Sequence, residues 1–493
     1  MSSTATDDAA RKEPDQSNSA ETRSRPGRVP GATVLAGAAL VAVTFGVGLR
    51  PLQDNSFLWH LRTGHWILQN GVPREDPFSF SAPGERWVAQ SWLAEILYAG
   101  LDELAGPMGI RLSQALLGAL IALSALGLAL RLTRAPVRAA LLATVAVGVS
   151  FTLWSSRPLL LGLAAAVALL WTVEVPDSRP GRRPLLVIPL VMWLWANLHG
   201  TFALGFVYLG LHLAGSWLDG RPPLRGRERA LALGGLIGFA ACFLNPYGVS
   251  LVTFPVELLA RGDAVENIVE WGSPDFRSMQ GVAFAAFLAV FVVVVASARR
   301  RPDRRDLLVA VPFLLLGLWA QRNILLAPLI VLPVLARLVA VTEPRVARRG
   351  PANLLLLGVI VLLGAQMVGQ GLRAPDFALD QRYPVRAMAA VERQGLLGRR
   401  LLTTDEWGGY VIHAYWPRQR VFLDDRYDMY PIGLVHDYTR LSKGMPSWSR
   451  ILDKYALDVV VWPRDTPLVS LLEGASGWRA VHRDDQAVVF ARP

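Results

Sequence analysis

The stretch that decides the fold is residues 54–92, which reads DNSFLWHLRTGHWILQNGVPREDPFSFSAPGERWVAQSW. It follows one long apolar run and precedes the next, which indicates a loop beside a membrane. Its apolar residues recur at helical spacing from Phe57 to Gln69, and Asn70-Gly71 followed by Pro73 ends the pattern. The pattern predicts an amphipathic helix suited to the lipid headgroup layer, with Trp and Arg at its edges.

Two acids flank this predicted helix, Asp54 directly before it and Asp76 after the turn. A carboxylate held where lipid meets water is unfavourable unless it is paired or has a function. Composition alone leaves two interpretations open. The helix either only anchors the first membrane span or also carries a functional site.

The rest of the chain is dominated by apolar runs. Apolar residues make up 52% of it, and runs of about 20 residues, enough to cross a bilayer as a helix, recur along most of its length. We therefore predict an all-α polytopic membrane domain over residues 31–372. Its transmembrane helices, about eleven in number, are expected near residues 32–49, 109–131, 137–154, 159–175, 184–198, 202–218, 229–244, 280–298, 306–321, 324–341 and 352–371.

The segments between and before the spans differ in character. Residues 1–30 are rich in Ser, Asp, Arg and Pro without periodicity, which predicts a disordered cytoplasmic amino terminus. Residues 51–108, called the first loop below, are expected to contain a second interfacial helix at 91–105. The single cysteine, Cys242, excludes disulfides within the chain and metal sites built from several cysteines.

The arginines set the predicted topology. Every second loop is strongly basic, as the positive-inside rule requires, so the amino terminus is expected in the cytoplasm and the carboxyl terminus outside. The net charge of +11 therefore does not indicate nucleic-acid binding. Few lysines beside many arginines are typical of a GC-rich bacterial genome, so we expect a bacterial plasma-membrane protein. The loop arginines are Arg131, Arg134, Arg138, Arg179, Arg182, Arg183, Arg221, Arg225, Arg227, Arg229, Arg299, Arg300, Arg301, Arg304, Arg305, Arg345, Arg348 and Arg349.

The outer face has a more varied set of polar residues, which at membrane depth indicates a site. For Asp54, Arg157 and Arg322 we favour a functional role over helix capping or anchoring. An isolated arginine beside apolar runs calls for an anionic partner, and a phosphate matches its planar fork. The other members of this set are His60, Asp76, Asn197, His199 and Glu270.

For residues 373–493, called the C-terminal segment, the sequence predicts a small extracytoplasmic α/β domain. Helical periodicity is present at 385–395 and 448–455, and residues 407–410 predict a turn. The acidic loop at 424–428 either binds a metal or is a solvated loop with an internal arginine pair. We favour the second, because Arg426 among the acids argues against a cation cage. Strands are expected at 400–404, 421–423, 459–462 and 488–490.

Several motifs resemble those of GT-C-type membrane glycosyltransferases, which include the oligosaccharyltransferase catalytic subunit, protein O-mannosyltransferases and lipid A aminoarabinose transferases. One is Asp-x-x-Phe-x-Trp-His-Leu-Arg-x-Gly at 54–64, which is followed by Gly-x-Pro-x-x-Asp-x-Phe-Ser at 71–79 and Trp-Leu-x-Glu at 92–95. Trp-x-Asn-x-His-Gly at 195–200, Asn-Pro-Tyr-Gly at 245–248 and Arg-Asn at 322–323 are similar to motifs of bacterial members without an assigned substrate.

The resemblance implies transfer of a sugar from a polyprenyl phosphate or pyrophosphate to a glycan, lipid or protein acceptor outside the membrane. In that family an acid of the first outer loop is essential, and Asp54 matches its position, which makes Asp54 the expected general base. Arg157, Arg322 and His60 would bind the donor phosphate or lipid. The residues expected to orient sugar or acceptor are Asn197, His199, Asp76 and Glu270.

Two further points remain open at the level of the sequence. A divalent cation, Mg²⁺ or Mn²⁺, is one option, with Asp54 and Glu270 as its ligands, although the chain has no Asp-x-Asp motif at Asp54. The alternative function is non-enzymatic, either binding or flipping of a polyprenyl lipid or a scaffold for envelope assembly. A transporter built of repeated halves with broken helices is not indicated, because the sequence shows no such repeat.

Overall fold

The computed structural model describes residues 30–176, 182–262, 269–341 and 350–493. The disorder predicted for residues 1–30 falls outside these ranges apart from Pro30, and so do Arg179, Arg345, Arg348 and Arg349. The helices that precede the C-terminal segment are α1 (Ala32–Gly48), α2 (Asn55–Asn70), α3 (Trp92–Thr133), α4 (Pro136–Phe151), α5 (Leu159–Glu174), α6 (Arg182–Leu198), α7 (Phe202–Leu218), α8 (Gly226–Ala241), α9 (Val249–Ala260), α10 (Met279–Ser297), α11 (Arg304–Trp319), α12 (Ala327–Leu338) and α13 (Pro351–Arg373).

Each of the eleven predicted spans coincides with one of these helices, because a long apolar run can satisfy its backbone in lipid only as a helix. Three helices of the described part, α3, α10 and α13, are long and apolar enough to cross a membrane. Others, such as α1 and α5, are apolar but shorter. The mostly helical character of the membrane domain is therefore confirmed, and the number of spans stays a prediction.

The helix expected at 91–105 is present as the first part of α3, and its interfacial position stays a prediction. The two parts of α3 meet at a kink, where Gly106 has φ 63° and ψ −168° and Pro107 follows. A left-handed φ favours glycine, and proline lacks the N–H that a continuous helix would use. The kink separates residues 92–105 from the long apolar part of α3.

The predicted amphipathic helix is present as α2, but it is a buried helix rather than one lying on the surface. Phe57, Leu58 and Leu61 are at most 1% exposed, and α2 packs against α3 on one side. Helix α15 (Asp405–Tyr415) of the C-terminal segment packs on α2 as well. Periodicity correctly identified the apolar side of α2, but the polar side is covered by a segment far away in the chain.

The C-terminal segment contains helices α14 (Val385–Arg393), α15, α16 (Ile432–Ser442), α17 (Trp448–Lys454) and α18 (Pro467–Glu473). Its four-stranded sheet has the order β1-β2-β4-β3. Strand β1 is parallel to β2, and the other neighbours are antiparallel. The strands are β1 (Leu401–Leu402), β2 (Val459–Pro463), β3 (Arg479–Arg483) and β4 (Ala487–Ala491).

Two secondary-structure predictions for the C-terminal segment were wrong. The turn predicted at 407–410 lies inside α15, where Gly409 lets α2 approach so closely that a Cβ would overlap the carbonyl oxygen of Asn55. The strand predicted at 421–423 does not join the sheet. Instead, Val421 exchanges backbone hydrogen bonds with Phe78 and Phe80 of the first loop, at 3.1 and 3.0 Å. These contacts attach the C-terminal segment to the first loop.

Candidate active site

A cavity of about 310 Å³ lies where α2, the start of α3, the α6–α7 turn, α9 and residues 425–428 meet. One wall is apolar and is formed by side chains of α9 and α11, namely Phe254, Pro255, Leu258, Leu259, Leu316 and Trp319. The polar side of the cavity consists of His60, Gln90, Glu95, His199, Arg322, Asp425 and Asp428. The cavity can therefore accommodate a ligand with both an apolar and a polar part.

The guanidinium of Arg157 joins two acids from distant parts of the chain, Asp54 and Glu270. Both carboxylate oxygens of Asp54 accept from Nε of Arg157, at 2.9 and 3.0 Å, and Glu270 accepts from Nη1 at 2.6 Å. Burial lowers the pKa of Arg157, but the two carboxylates outweigh it and hold the pKa above its usual value. Arg157 therefore stays charged and bridges two acids.

Asp54 also has a structural function as the N-cap of α2. Its Oδ1 accepts from the backbone N–H of Phe57 at 3.1 Å, which satisfies one of the free donors at the helix start. Asp54 does not line the cavity described above. It lines a smaller neighbouring cavity of about 240 Å³, beside Arg50, Gln114 and Arg382.

The residues offered as metal ligands do not fit a divalent cation. The carboxylates of Asp54 and Glu270 both already bind the guanidinium of Arg157, so a cation between them would have to displace a charged side chain. The described residues also contain no group of three or more His, Cys, Asp or Glu side chains that could hold a metal.

Arg322 lines the cavity, and its guanidinium carbon lies 4.5 Å from the centre of the Trp271 ring. Within the described ranges it has no ion pair and no hydrogen bond to a carboxylate. Burial lowers the pKa of Arg322, and the negative charge of Glu270 offsets part of this decrease. A half-buried arginine that forms no ion pair with the described residues is a suitable partner for an anionic ligand group.

Two histidines at the polar side are held neutral. Burial, and after it the positive charges nearby, lowers the pKa of His199 to about 3. Burial likewise lowers the pKa of His60 well below its usual value, and Nδ1 of His60 lies 2.7 Å from Glu95 Oε1. Oε2 of Glu95 is buried and has no partner in the described part of the chain. His60, His199 and Glu95 thus present hydrogen-bonding groups to the cavity.

Asn197 and Asp76 have structural partners and do not line this cavity. Asn197 is buried; it accepts from Trp92 Nε1 at 2.9 Å and donates to the Trp193 carbonyl at 2.8 Å, which fixes α3 on α6. Asp76 accepts from the N–H of Phe78 and of Ser79 at 3.0 and 2.8 Å. These contacts order the turn after α2. The sugar-orienting roles predicted for Asn197 and Asp76 are not supported by contact with the cavity.

The acidic loop at 424–428 supplies site residues that sequence reasoning missed. It is not solvated, because Asp424 and Arg426 are at most 1% exposed. The predicted ion pair between Arg426 and an acid of its own loop is present, because Nη2 of Arg426 donates a 2.6 Å hydrogen bond to Asp424. Asp425 points to α2 instead, where its Oδ1 accepts from Trp59 Nε1 at 2.6 Å and its Oδ2 accepts from the Ser56 hydroxyl. The signal in the sequence was the dense alternation of acids and aromatics around Arg426.

No protein-family model matches the chain, and no curated protein sequence does. Among solved structures, the chain is similar to the oligosaccharyltransferase AglB from Archaeoglobus fulgidus, which was solved in complex with an inhibitory peptide and a dolichol-phosphate. The two superpose with a TM-score of 0.52 at 11% sequence identity. The superposition covers 87% of this chain and 69% of AglB. The chain has a GT-C-like fold.

Two structures of the aminoarabinose transferase ArnT from Cupriavidus metallidurans are also similar in fold. The form bound to undecaprenyl phosphate has a TM-score of 0.47 at 13% identity, and the apo form has 0.46 at 16%. Both cover 93% of this chain and 97% of ArnT. The superposition with AglB confirms the GT-C-like fold expected from the motifs.

Proposed function

We propose that this protein is a membrane glycosyltransferase that moves a sugar from a polyprenyl phosphate or pyrophosphate to an acceptor on the outer side of the bacterial plasma membrane. One observation carries the proposal. In a GT-C-like fold, a cavity with an apolar wall from α9 and α11 also contains Arg322, a half-buried arginine that forms no ion pair with any of the described residues. This arrangement matches a lipid chain that ends in a phosphate.

The apolar wall supports a lipid donor rather than a soluble one. Leu259 of α9 and Trp319 of α11 line the cavity and are still 52% and 57% exposed, so the wall continues onto the outer surface of the helices. A polyprenyl chain could enter the cavity along this wall without crossing water. The dolichol-phosphate in the AglB structure supports the same donor class.

In the proposed reaction an acceptor hydroxyl attacks the anomeric carbon of the sugar, and the bond from that carbon to the phosphate oxygen breaks. The leaving polyprenyl phosphate gains negative charge, which Arg322 stabilises from the polar side of the cavity. Arg157 adds a second positive charge nearby, although Asp54 and Glu270 bind its guanidinium. The role of Asp54 as general base stays a prediction, as does that of His60 as a ligand of the donor phosphate or lipid. The orienting roles of His199 and Glu270 also stay predictions.

The alternative is a lipid carrier or scaffold that binds the same polyprenyl phosphate without transferring a sugar. Purified protein would be given a radiolabelled polyprenyl-phosphate hexose or pentose together with extracted envelope glycans, lipids and proteins. We expect label in an acceptor from the wild type and at least a tenfold loss with Arg322→Gln. Donor binding without any transfer by the wild type would favour the carrier.

The matched control for Arg322→Gln is Arg277→Gln, an exposed arginine in the loop before α10 that does not line the cavity. Arg322→Lys keeps the charge but loses the planar fork, so its donor KM should lie between those of the wild type and Arg322→Gln. Equal transfer by all four proteins would remove Arg322 from the site.

A further inference from the structure

Asp425, one of the acids that line the cavity, is held in place by helix α2. Asp425 comes from the C-terminal segment, lines the cavity and accepts hydrogen bonds from Trp59 Nε1 and the Ser56 hydroxyl, both on α2. Two donors from one rigid helix fix the orientation of the carboxylate. Each of its oxygens keeps a further lone pair that can accept a proton from a bound ligand.

Asp54 is arranged differently. Its two carboxylate oxygens already accept from Arg157 Nε, and Oδ1 also accepts from the N–H of Phe57. It faces the smaller neighbouring cavity and not the one that holds Arg322. Asp54 is therefore well placed to hold Arg157 and the start of α2, whereas Asp425 shares a cavity with Arg322.

The surroundings of Asp425 favour proton uptake near neutral pH. Burial, followed by the negative charge of Asp424, raises the pKa of Asp425 to about 7, against the opposing effect of Arg157. The charged groups that act on it are Asp424 from its own loop, Arg157 from the α4–α5 loop and Asp54 from the start of α2. A carboxylate with such a pKa is a stronger base than an ordinary aspartate and is still ionised in part at pH 7.

On the basis of the proposed function, we propose that Asp425 is the catalytic base of the sugar transfer and that Asp54 is a positioning residue. The acceptor hydroxyl gives its proton to a carboxylate oxygen of Asp425, and the hydroxyl oxygen forms the new bond to the anomeric carbon. The bond between that carbon and the phosphate oxygen breaks, and its electron pair leaves with the polyprenyl phosphate beside Arg322.

The closing experiment compares Asp425→Asn, Asp425→Glu and Asp54→Asn with the wild type, in full-length protein and with a radiolabelled polyprenyl-phosphate hexose or pentose as donor. Asp453→Asn is the control, since Asp453 lies in the same segment, is exposed and pairs only with Arg492 in the described structure. Asp425→Asn should lower kcat by about 10²–10⁴-fold with little change in donor binding. Asp425→Glu should restore part of this loss.

The pH profile separates a base from a structural residue. For the wild type, kcat/KM should rise as pH increases through about 7, because Asp425 loses its proton in that range. The residual kcat/KM of Asp425→Asn should not rise in this pH range. Asp54→Asn should keep the rise, with lower kcat/KM values throughout. A rise that persists in Asp425→Asn but disappears in Asp54→Asn would overturn the proposal and make Asp54 the base.

The outcomes also separate this proposal from the proposed function. Transfer by the wild type with unchanged kcat in Asp425→Asn would refute the role of Asp425 and leave the transferase intact. No transfer by the wild type from either donor, despite donor binding, would refute the transferase itself and this proposal with it. Binding of polyprenyl phosphate, measured by native mass spectrometry, shows that each variant is folded.

Discussion

Nη1 of Arg426 donates a 2.7 Å hydrogen bond to Asp76, which joins the C-terminal segment to the first loop through two fully buried side chains. The same guanidinium pairs with Asp424 and lies 4.6 Å from the centre of the Trp87 ring. The pKa of Arg426 is raised well above its usual value, because Asp424 and Asp76 outweigh the effect of burial. This cluster holds the loop that carries Asp425 against α2.

Arg426→Ala should therefore destabilise the folded protein strongly. It leaves Asp76 and Asp424 buried without their partner, and loss of one member of a buried ion pair typically costs about 3–5 kcal/mol. Thermal unfolding in detergent measures the effect. Arg418→Ala removes an exposed pair with Glu392 and should cost less than about 1 kcal/mol. Equal stability of Arg426→Ala and Arg418→Ala would contradict the structural role of Arg426.

The close packing of α2 on α3 gives a second prediction. A Cβ on Gly64 would overlap the carbonyl oxygen of Glu95, so Gly64→Ala must push the two helices apart and should lower the melting temperature. Gly100→Ala is the control in α3, because nothing lies within 4 Å of its added Cβ. The control should be neutral or stabilising by up to about 1 kcal/mol. A stable Gly64→Ala would indicate a looser contact.

Removal of divalent cations should leave transfer unchanged. Arg157 already supplies the positive charge between Asp54 and Glu270. Activity is measured after treatment with EDTA and again after addition of Mg²⁺ or Mn²⁺. Activity that EDTA abolishes and either ion restores would show that a metal takes part. Arg157→Ala should lose transfer, since it leaves the two carboxylates without their common partner.

Asp425 gives a prediction about stability and pH. Its folded-state pKa of about 7 lies above the ordinary aspartate value of 3.8, so its contribution to stability is largest at low pH and is lost as pH rises through 7. Asp425→Asn should therefore raise the melting temperature relative to the wild type more at pH 8 than at pH 5. A smaller gain at pH 8 would show that the carboxylate is not held in an unfavourable environment.

The helices formed by the long apolar runs could be predicted from the sequence, because the length and the apolar composition of a run are almost sufficient to determine such a helix. The apolar periodicity of 57–69 likewise identified α2. The turn expected at 407–410 failed because glycine pairs indicate turns locally, whereas Gly409 is required here by the close approach of α2. Strand β3 was missed because its residues, Arg479–Arg483, are largely polar and exposed.

Only some residues of the candidate site could be identified from the sequence. Asp54, Arg157 and Glu270 were identified as unusual charges near the membrane, and the structure brings them together. Asp425 was missed because its partner Trp59 is 366 residues away in the sequence. Local composition cannot show which side of a buried loop faces a helix of the first loop.

A glycosyltransferase transfers the sugar of its donor, whereas a carrier only binds the lipid. The most direct measurement is the release of polyprenyl phosphate from a polyprenyl-phosphate hexose or pentose by purified protein, followed by mass spectrometry with and without envelope acceptors. We predict acceptor-dependent release by the wild type, with sugar found on an acceptor in equal amount, and a loss of both with Arg322→Gln. A lipid that binds at the cavity but keeps its sugar under all these conditions would show that the protein is not a glycosyltransferase.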